Sequence, residues 1–320
     1  MLIGAFFCPM AEAAWIWSPD IGKWMNLKKA AKDTPEEQYD WAMSFYNRKE
    51  WDRAIEEFEK IPDNFPSSKL AAEGVFFVGK CWEAKGDIAK AADHYQNLID
   101  HYPYSDRIKD AVKAEFEIAN QFASGAKMKV MGIPVLSGQL KAMDLYQHVV
   151  KNAPFGMVGD QAQFKIGELY KAQGEYEEAR KAFQAVIDEY PGSSLVARAR
   201  YEIAASSMES SKKSQYNEQY AERAIEEFQG FKETFPTSQS ALEADESIKA
   251  LREKNAKMNF DTAVFYEKQS KFKSAQVYYQ QIAERYPDTS FGPVARKKAE
   301  ALLRREAEPP AKSKPWYRPW

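Results

Sequence analysis

Three histidines, two cysteines and several Glu–Glu pairs are the residues in this chain whose types could do metal, nucleophilic or acid–base chemistry. Their spacing argues against it. His94 and His101 stand seven apart on one helical stretch and His148 stands alone, so no metal-ligand spacing results. HExxH, Walker A, GxGxxG and GxSxG runs are all missing. Cys81 sits inside an apolar-periodic segment, where it reads as a small buried hydrophobe, and two cysteines make no disulfide framework. The pairs Glu56/Glu57 and Glu177/Glu178 fall opposite the apolar period and read as solvated faces. The expectation is a chain that is no enzyme and holds no metal or cofactor.

The remaining chemistry is recognition. Tyr39, Met43 and Tyr46 follow one another at helical spacing, and so do Phe76, Lys80 and Glu83. An aromatic and methionine surface with a few charges suits a short extended or helical peptide, so these six are the predicted partner-binding residues. A second candidate lies in "SGAKMKVMGIPVLSG", Ser124–Gly138, where Val130, Met131, Ile133, Val135 and Leu136 are too apolar for an idle loop. Two readings stay open there: a flap folded on its own repeat, or a partner-binding edge.

What must position these residues is a repeat. Ala is followed four residues later by an aromatic and eight further on by Pro, six times: Ala54/Phe58/Pro66, Ala91/Tyr95/Pro103, Ala142/Tyr146/Pro154, Ala179/Phe183/Pro191, Ala224/Phe228/Pro236 and Ala275/Tyr279/Pro287. The identical "AIEEF" at Ala54–Phe58 and Ala224–Phe228 is one packing task written twice. Upstream stand Ala42/Phe45, Gly79/Trp82, Gly167/Tyr170 and Ala263/Tyr266, with turns at Gly86, Gly174 and Ser270. Residues three and four apart share a helix face, so each unit is two amphipathic helices joined by a tight turn and stopped by Pro. One such unit cannot bury its apolar face alone, whereas stacked neighbours can. The pattern is that of tetratricopeptide repeats. The predicted fold is an all-α solenoid of about six repeats over 34–303, near 35–68, 72–105, 112–156, 160–193, 197–238 and 256–289, with inserts 124–138 and 209–219. The polar insert 209–219 reads as a solvated loop. The stretch before repeat six, free of Gly and Pro, reads as a long helix or a broken pair.

Composition agrees. The chain has 320 residues and a formal net charge of -2, and runs of Val, Ile and Thr with period-two alternation are missing, so no sheet and no nucleic-acid partner are expected. Residues 1–14, "MLIGAFFCPMAEAA", combine an apolar run with small residues and read as a secretory signal lacking its positive start, with cleavage after Ala13 or Ala14. A Trp-rich segment, 15–33, follows, and "DTPEEQ" opens the first helix with Asp33 or Thr34 as cap. The basic Pro-rich tail 304–320 is expected to be disordered alone, and Trp316, Tyr317 and Trp320 could anchor on a membrane interface or a partner.

These residues resemble a family. "PEEQYDWAMSFYNRKEWDRAIEEFEKI", the repeat ends "YPYSD" and "YPGSS", and "NFDTAVFYEKQSKFKSAQVYYQQIAERYPDTS" are similar to the BamD-like tetratricopeptide lipoproteins of the outer-membrane β-barrel assembly machine, over about Thr34–Leu303. The resemblance implies a periplasmic scaffold, peripherally associated with the outer membrane. It implies that repeats one and two take unfolded outer-membrane proteins and that repeats four to six hold the barrel-assembly subunit. The family's lipidated cysteine follows a lipobox; Cys8 follows "AFF", which speaks against its lipidation. The alternative is another periplasmic repeat scaffold coordinating cell-envelope or division proteins.

Overall fold

The computed structural model describes residues 15–18, 23–26, 30–130, 133–152, 158–213 and 218–307. The expected signal with Cys8, the candidate Met131, and Trp316, Tyr317 and Trp320 lie outside the described residues. The chain forms two compact units, Met1–Gly159 and Asp160–Trp320.

Unit 1 opens with an antiparallel hairpin, β1 (Trp15–Ser18) and β2 (Lys23–Asn26). Helices α1 (Pro35–Asn47), α2 (Trp51–Asn64), α3 (Lys69–Ala84), α4 (Ile88–His101) and α5 (Ile108–Ala123) follow. A second hairpin, β3 (Lys127–Val130) and β4 (Ile133–Ser137), then leads to α6 (Gln139–Asn152). Unit 2 is built from α7 (Gly159–Gln173), α8 (Tyr176–Glu189), α9 (Val196–Lys213), α10 (Glu218–Thr234), α11 (Ser240–Lys268), α12 (Phe272–Arg285) and α13 (Gly292–Ala307). Within each unit the helices pack largely on their neighbours in the chain, as stacked repeats do. The fold is an all-α tetratricopeptide-repeat solenoid.

Two expectations are corrected. Strands do occur: the apolar insert forms the hairpin β3–β4, and the Trp-rich segment forms β1–β2. Both are runs of four or five residues, too short for alternation to show in the sequence, yet rich in the aromatic and β-branched types that suit strands. The polar stretch from Glu209 is helical as far as Lys213. Its serines satisfy themselves inside the helix: Ser210 Oγ donates to the Ser206 carbonyl at 3.1 Å and Ser211 Oγ to the Met208 carbonyl at 2.7 Å. The stretch before repeat six is one continuous helix, α11.

The repeat rule is visible as packing. Ala54, Ala91, Ala142, Ala179, Ala224 and Ala275 are all 0% exposed, and so are the aromatics four residues on. Where the ring comes closest, even alanine is too large on the facing helix. A Cβ on Gly79 would stand 2.6 Å from the Tyr95 ring, and one on Gly167 2.6 Å from the Phe183 ring. Thr34 caps α1, accepting the Glu37 N–H at 3.2 Å, with Pro35 in the first turn.

The turn between paired helices needs a left-handed residue. Gly86 (φ 74°) and Gly174 (φ 76°) supply it without strain, whereas Lys49 (φ 61°) and Ser270 (φ 59°) carry a Cβ into that region. Lys49→Gly is therefore expected to stabilise the protein by about 0.5–1 kcal/mol, the relieved strain less the glycine's extra chain entropy. A higher urea midpoint at unchanged slope would show it; a lower midpoint would mean that Lys49 is not strained.

A candidate partner-binding face

The N-terminal repeats place one row of side chains along α1 and α3, ending at the start of α5. From α1 come Tyr39, Met43 and Tyr46, all half-buried. From α3 come Glu73, Phe77 and Lys80, half-buried likewise. Phe77 is the pivot. Its ring stacks on Phe58 at 5.3 Å and meets Tyr39 at 6.0 Å and Tyr46 at 5.2 Å, edge to face. Tyr46 also meets Trp51 at 5.3 Å. Met43 packs on the same cluster.

Charge is laid alongside the rings. Arg107, the residue before α5, places its guanidinium 5.0 Å from the Phe76 ring and 5.9 Å from that of Phe77. Its Nε donates to Glu73 Oε1 at 2.7 Å and its Nη1 to Asp110 at 2.9 Å, and the Glu73 bond is the main reason its acidity falls further below the usual range. Lys80 Nζ donates to Glu83 at 2.8 Å and lies 5.7 Å from the Phe76 ring. Burial, reinforced by Glu73, pushes the Tyr39 phenol above its ordinary pKa; burial does the same for Tyr46. Both hydroxyls stay protonated at neutral pH and can donate hydrogen bonds.

The six residues named from the sequence thus fall on neighbouring parts of α1 and α3. Phe76 itself is buried, 6% exposed, between Phe77 and Tyr95. Glu73, Phe77 and Arg107 were missed. The first two carried a readable signal, since Glu73, Phe77 and Lys80 repeat the i, i+4, i+7 spacing of Tyr39, Met43 and Tyr46. Arg107 carried none, because it joins the row only through the packing of α5. Of the second candidate set, Ile133 and Val135 lie in β4.

The groups with acid–base or nucleophilic potential are placed elsewhere. Cys81 is 0% exposed in the core of unit 1, and burial pushes its thiol up to about 12. His101 is exposed, its Nδ1 3.0 Å from the Asn97 carbonyl, and His94 is half-buried, which lowers its pKa. Glu57 departs from the expected solvated face. Buried Gln38 donates through Nε2 to both its carbonyl and its carboxylate, each at 2.8 Å. His148 is engaged with two carboxylates. Its Nδ1 lies 2.9 Å from Glu115 Oε2 and its Nε2 3.4 Å from Asp100 Oδ1. Glu115, at 0% exposure, holds the repeat position that Gln38 and Gln163 hold in repeats one and four, four residues before the small packing residue. Among the described residues no cluster of His, Cys, Asp or Glu could hold a metal ion.

Residues 137–305, more than half of the chain, match the family described as outer membrane lipoprotein (YfiO). The chain belongs to the outer membrane lipoprotein family. Residues 39–106, which carry the aromatic row, match the tetratricopeptide repeat family. Both families are non-catalytic scaffold types, and tetratricopeptide domains generally mediate contacts between proteins. Membership in an outer membrane lipoprotein family points to the periplasmic side, and no helix among the described residues is long and apolar enough to cross a membrane. No curated protein matches the chain.

Solved structures match the chain at low identity and low TM-score. The MamA protein is 17% identical with a TM-score of 0.36, over 63% of this chain and 92% of that one. MamA 41-end from Desulfovibrio magneticus RS-1 is 14% identical with a TM-score of 0.33, over 66% and 100%. A thermophilic tetratricopeptide protein of Thermus thermophilus is 12% identical with a TM-score of 0.33, over 67% and 99%. The fold assignment rests on the helix pairs and the family matches, not on these scores.

Proposed function

We propose that this chain is a non-enzymatic periplasmic scaffold of outer-membrane β-barrel assembly. In this reading unit 1 receives segments of unfolded barrel proteins, and unit 2, which lies almost wholly inside the family match, holds the core assembly subunit. The observation that carries it is the half-buried row of Tyr39, Met43, Tyr46, Phe77, Lys80 and Arg107. A strand segment of a barrel protein presents apolar side chains on alternate positions, with aromatic residues near its ends. Such a segment, still extended, fits a row of ring edges flanked by charge.

The test uses the purified full chain and a synthetic peptide copying one aromatic-rich barrel strand. Met43→Ala/Tyr46→Ala is expected to weaken binding at least about tenfold, the usual cost of losing an aromatic anchor, with helicity retained. Unchanged affinity would remove the row from the binding site. A mild-detergent pull-down from native envelopes separates the two scaffold roles. The barrel-inserting subunit is expected; peptidoglycan or division proteins in its place would move the protein to envelope coordination.

A further inference from the structure

Between repeats one and two the chain seats one of its own cations beside a turn. Asp52 is the second residue of α2, just after the α1–α2 turn. Lys85, the residue after α3, donates its Nζ to the Asp52 carboxylate and lies 4.4 Å from the Trp82 ring. The last repeat does the same with an arginine. Arg305 of α13 lies 4.2 Å from the ring of Phe272, the first residue of α12. At both turns a basic side chain from the following helix is held by a carboxylate, a ring or both.

Repeat four keeps the turn and drops the cation. Tyr176 and Glu177 open α8 as Trp51 and Asp52 open α2. Counted from the packing alanines Ala54 and Ala179, Ser210 stands where Lys85 does, and Ser207 where Trp82 does. Ser210 Oγ is spent on its own helix, on the Ser206 carbonyl. With serine at both positions an open cleft of about 610 Å³ is left. It lies between the α7–α8 turn, Ser210 of α9 and Tyr220 near the start of α10.

The lining suits a cation. It holds the carboxylates of Glu175, Glu177 and Glu178 and the half-buried rings of Tyr176 and Tyr220, with no lysine or arginine among the described residues. Glu177 accepts from Arg180 at 2.8 Å and from Arg223 at 3.3 Å, and Glu178 from Lys181 at 2.7 Å. The exposed Glu175 carboxylate makes no ion pair or hydrogen bond among the described residues. Two tyrosine rings and one unspent carboxylate make a site for an alkylammonium or guanidinium group.

We propose that this cleft in unit 2 receives a lysine or arginine side chain of a protein partner, in the place that Lys85 fills from within the chain between repeats one and two. Charge complementarity favours this occupant, with Glu175 against the incoming charge and the tyrosine rings against its stem. The proposal does not depend on the barrel-assembly role. Its site lies outside the aromatic row of unit 1, and its test uses no barrel peptide.

The experiment is fluorescence anisotropy of the full chain with a labelled Gly-Lys-Gly-Lys-Gly peptide, set against the same peptide with norleucine in place of lysine. The lysine peptide is expected to bind at least about tenfold more tightly, the worth of one partly desolvated cation–ring contact. Ser210→Lys restores the cation that the cleft lacks. It is expected to melt at or above the parent's temperature and to weaken peptide binding about tenfold. Thr237→Lys, the same charge added at an exposed position elsewhere in unit 2, is expected to leave binding unchanged. Tyr220→Ala gives a second reading should Ser210→Lys fail to fold, and about tenfold weaker binding is expected of it. Equal binding of the two peptides, no binding of either, or parental affinity in Ser210→Lys or Tyr220→Ala would overturn the proposal.

Discussion

His148→Leu lowers the stability of unit 1 by about 3–5 kcal/mol at about pH 6, where His148 carries its proton, and by less in acid, where Glu115 is neutral, and at high pH, where His148 is neutral. The reason is the carboxylate left behind. Glu115 is 0% exposed, and His148 Nδ1, 2.9 Å away, is the cation-bearing group against it. The groups around the pair come from three helices. Helix α4 brings Asp100 to His148 Nε2, α6 brings Lys141 into the field of Glu115, and Lys141 also bonds Asp93 of α4 at 3.0 Å. Hydrogen bonding to Glu115, with help from Asp100, raises the His148 pKa against the opposing effect of burial. Burial raises the pKa of Glu115.

Both shifts have the same sign. A raised folded-state pKa means a contribution fully present below the unfolded value and lost as pH climbs through the folded one. For His148 the loss begins above its ordinary value of 6.5. In the leucine variant Glu115 titrates alone. It is protonated and harmless in acid, and an unpaired buried charge at higher pH. Tryptophan fluorescence during urea unfolding reads this directly, because Trp41, Trp51 and Trp82 lie in the helices of unit 1. The double variant Glu115→Leu/His148→Leu should recover most of the loss, since removing both charges is far less costly than removing one. A leucine variant whose loss does not vary with pH would show that His148 acts by packing alone.

Phe58→Ala and Phe228→Ala should each cost about 3–5 kcal/mol, the price of an emptied aromatic site in a close-packed core. The two phenylalanines end the twin "AIEEF" segments and are both 0% exposed. Phe228 packs under Tyr201 at 5.6 Å, well inside unit 2. Phe58 lies under Phe77 at 5.3 Å and beside Tyr39 at 5.9 Å and Tyr46 at 6.3 Å. The stability losses should therefore match, while their consequences for binding differ. Phe58→Ala loosens the floor beneath the aromatic row, so the barrel-strand peptide should bind more weakly, measured where the variant is still folded. Phe228→Ala should bind it normally. Equal binding by both variants would separate the row from the recognition surface.

The sequence carried the repeat because the repeat is a matter of spacing. Ala four residues before an aromatic can be read by eye, and each such pair is buried in the structure. It carried the left-handed turns where glycine marks them, at Gly86 and Gly174, and lost the one at Lys49, where nothing in the residue type announces a positive φ. It carried the α1 part of the candidate face, because those residues share one helix. Arg107 was out of reach, since its place depends on how α5 packs against α3. Gln38 and Glu115 were hidden for a related reason. A polar residue at a core position looks like surface until its partner, here Glu57 or His148, is known.

Helix α11 runs unbroken for 29 residues, about 43 Å at 1.5 Å per residue. Its first half closes the core around Phe228 through Ala244, Ile248 and Leu251, and its second half opens the core around Tyr279 through Ala256 and Ala263. Elsewhere an ancestral duplication or deletion could begin and end in a loop. Between repeats five and six there is no loop to cut, so these two repeats form one heritable block. Lineages that lengthen or shorten this array are expected to do so on the N-terminal side of α9, keeping α9 to α13 together.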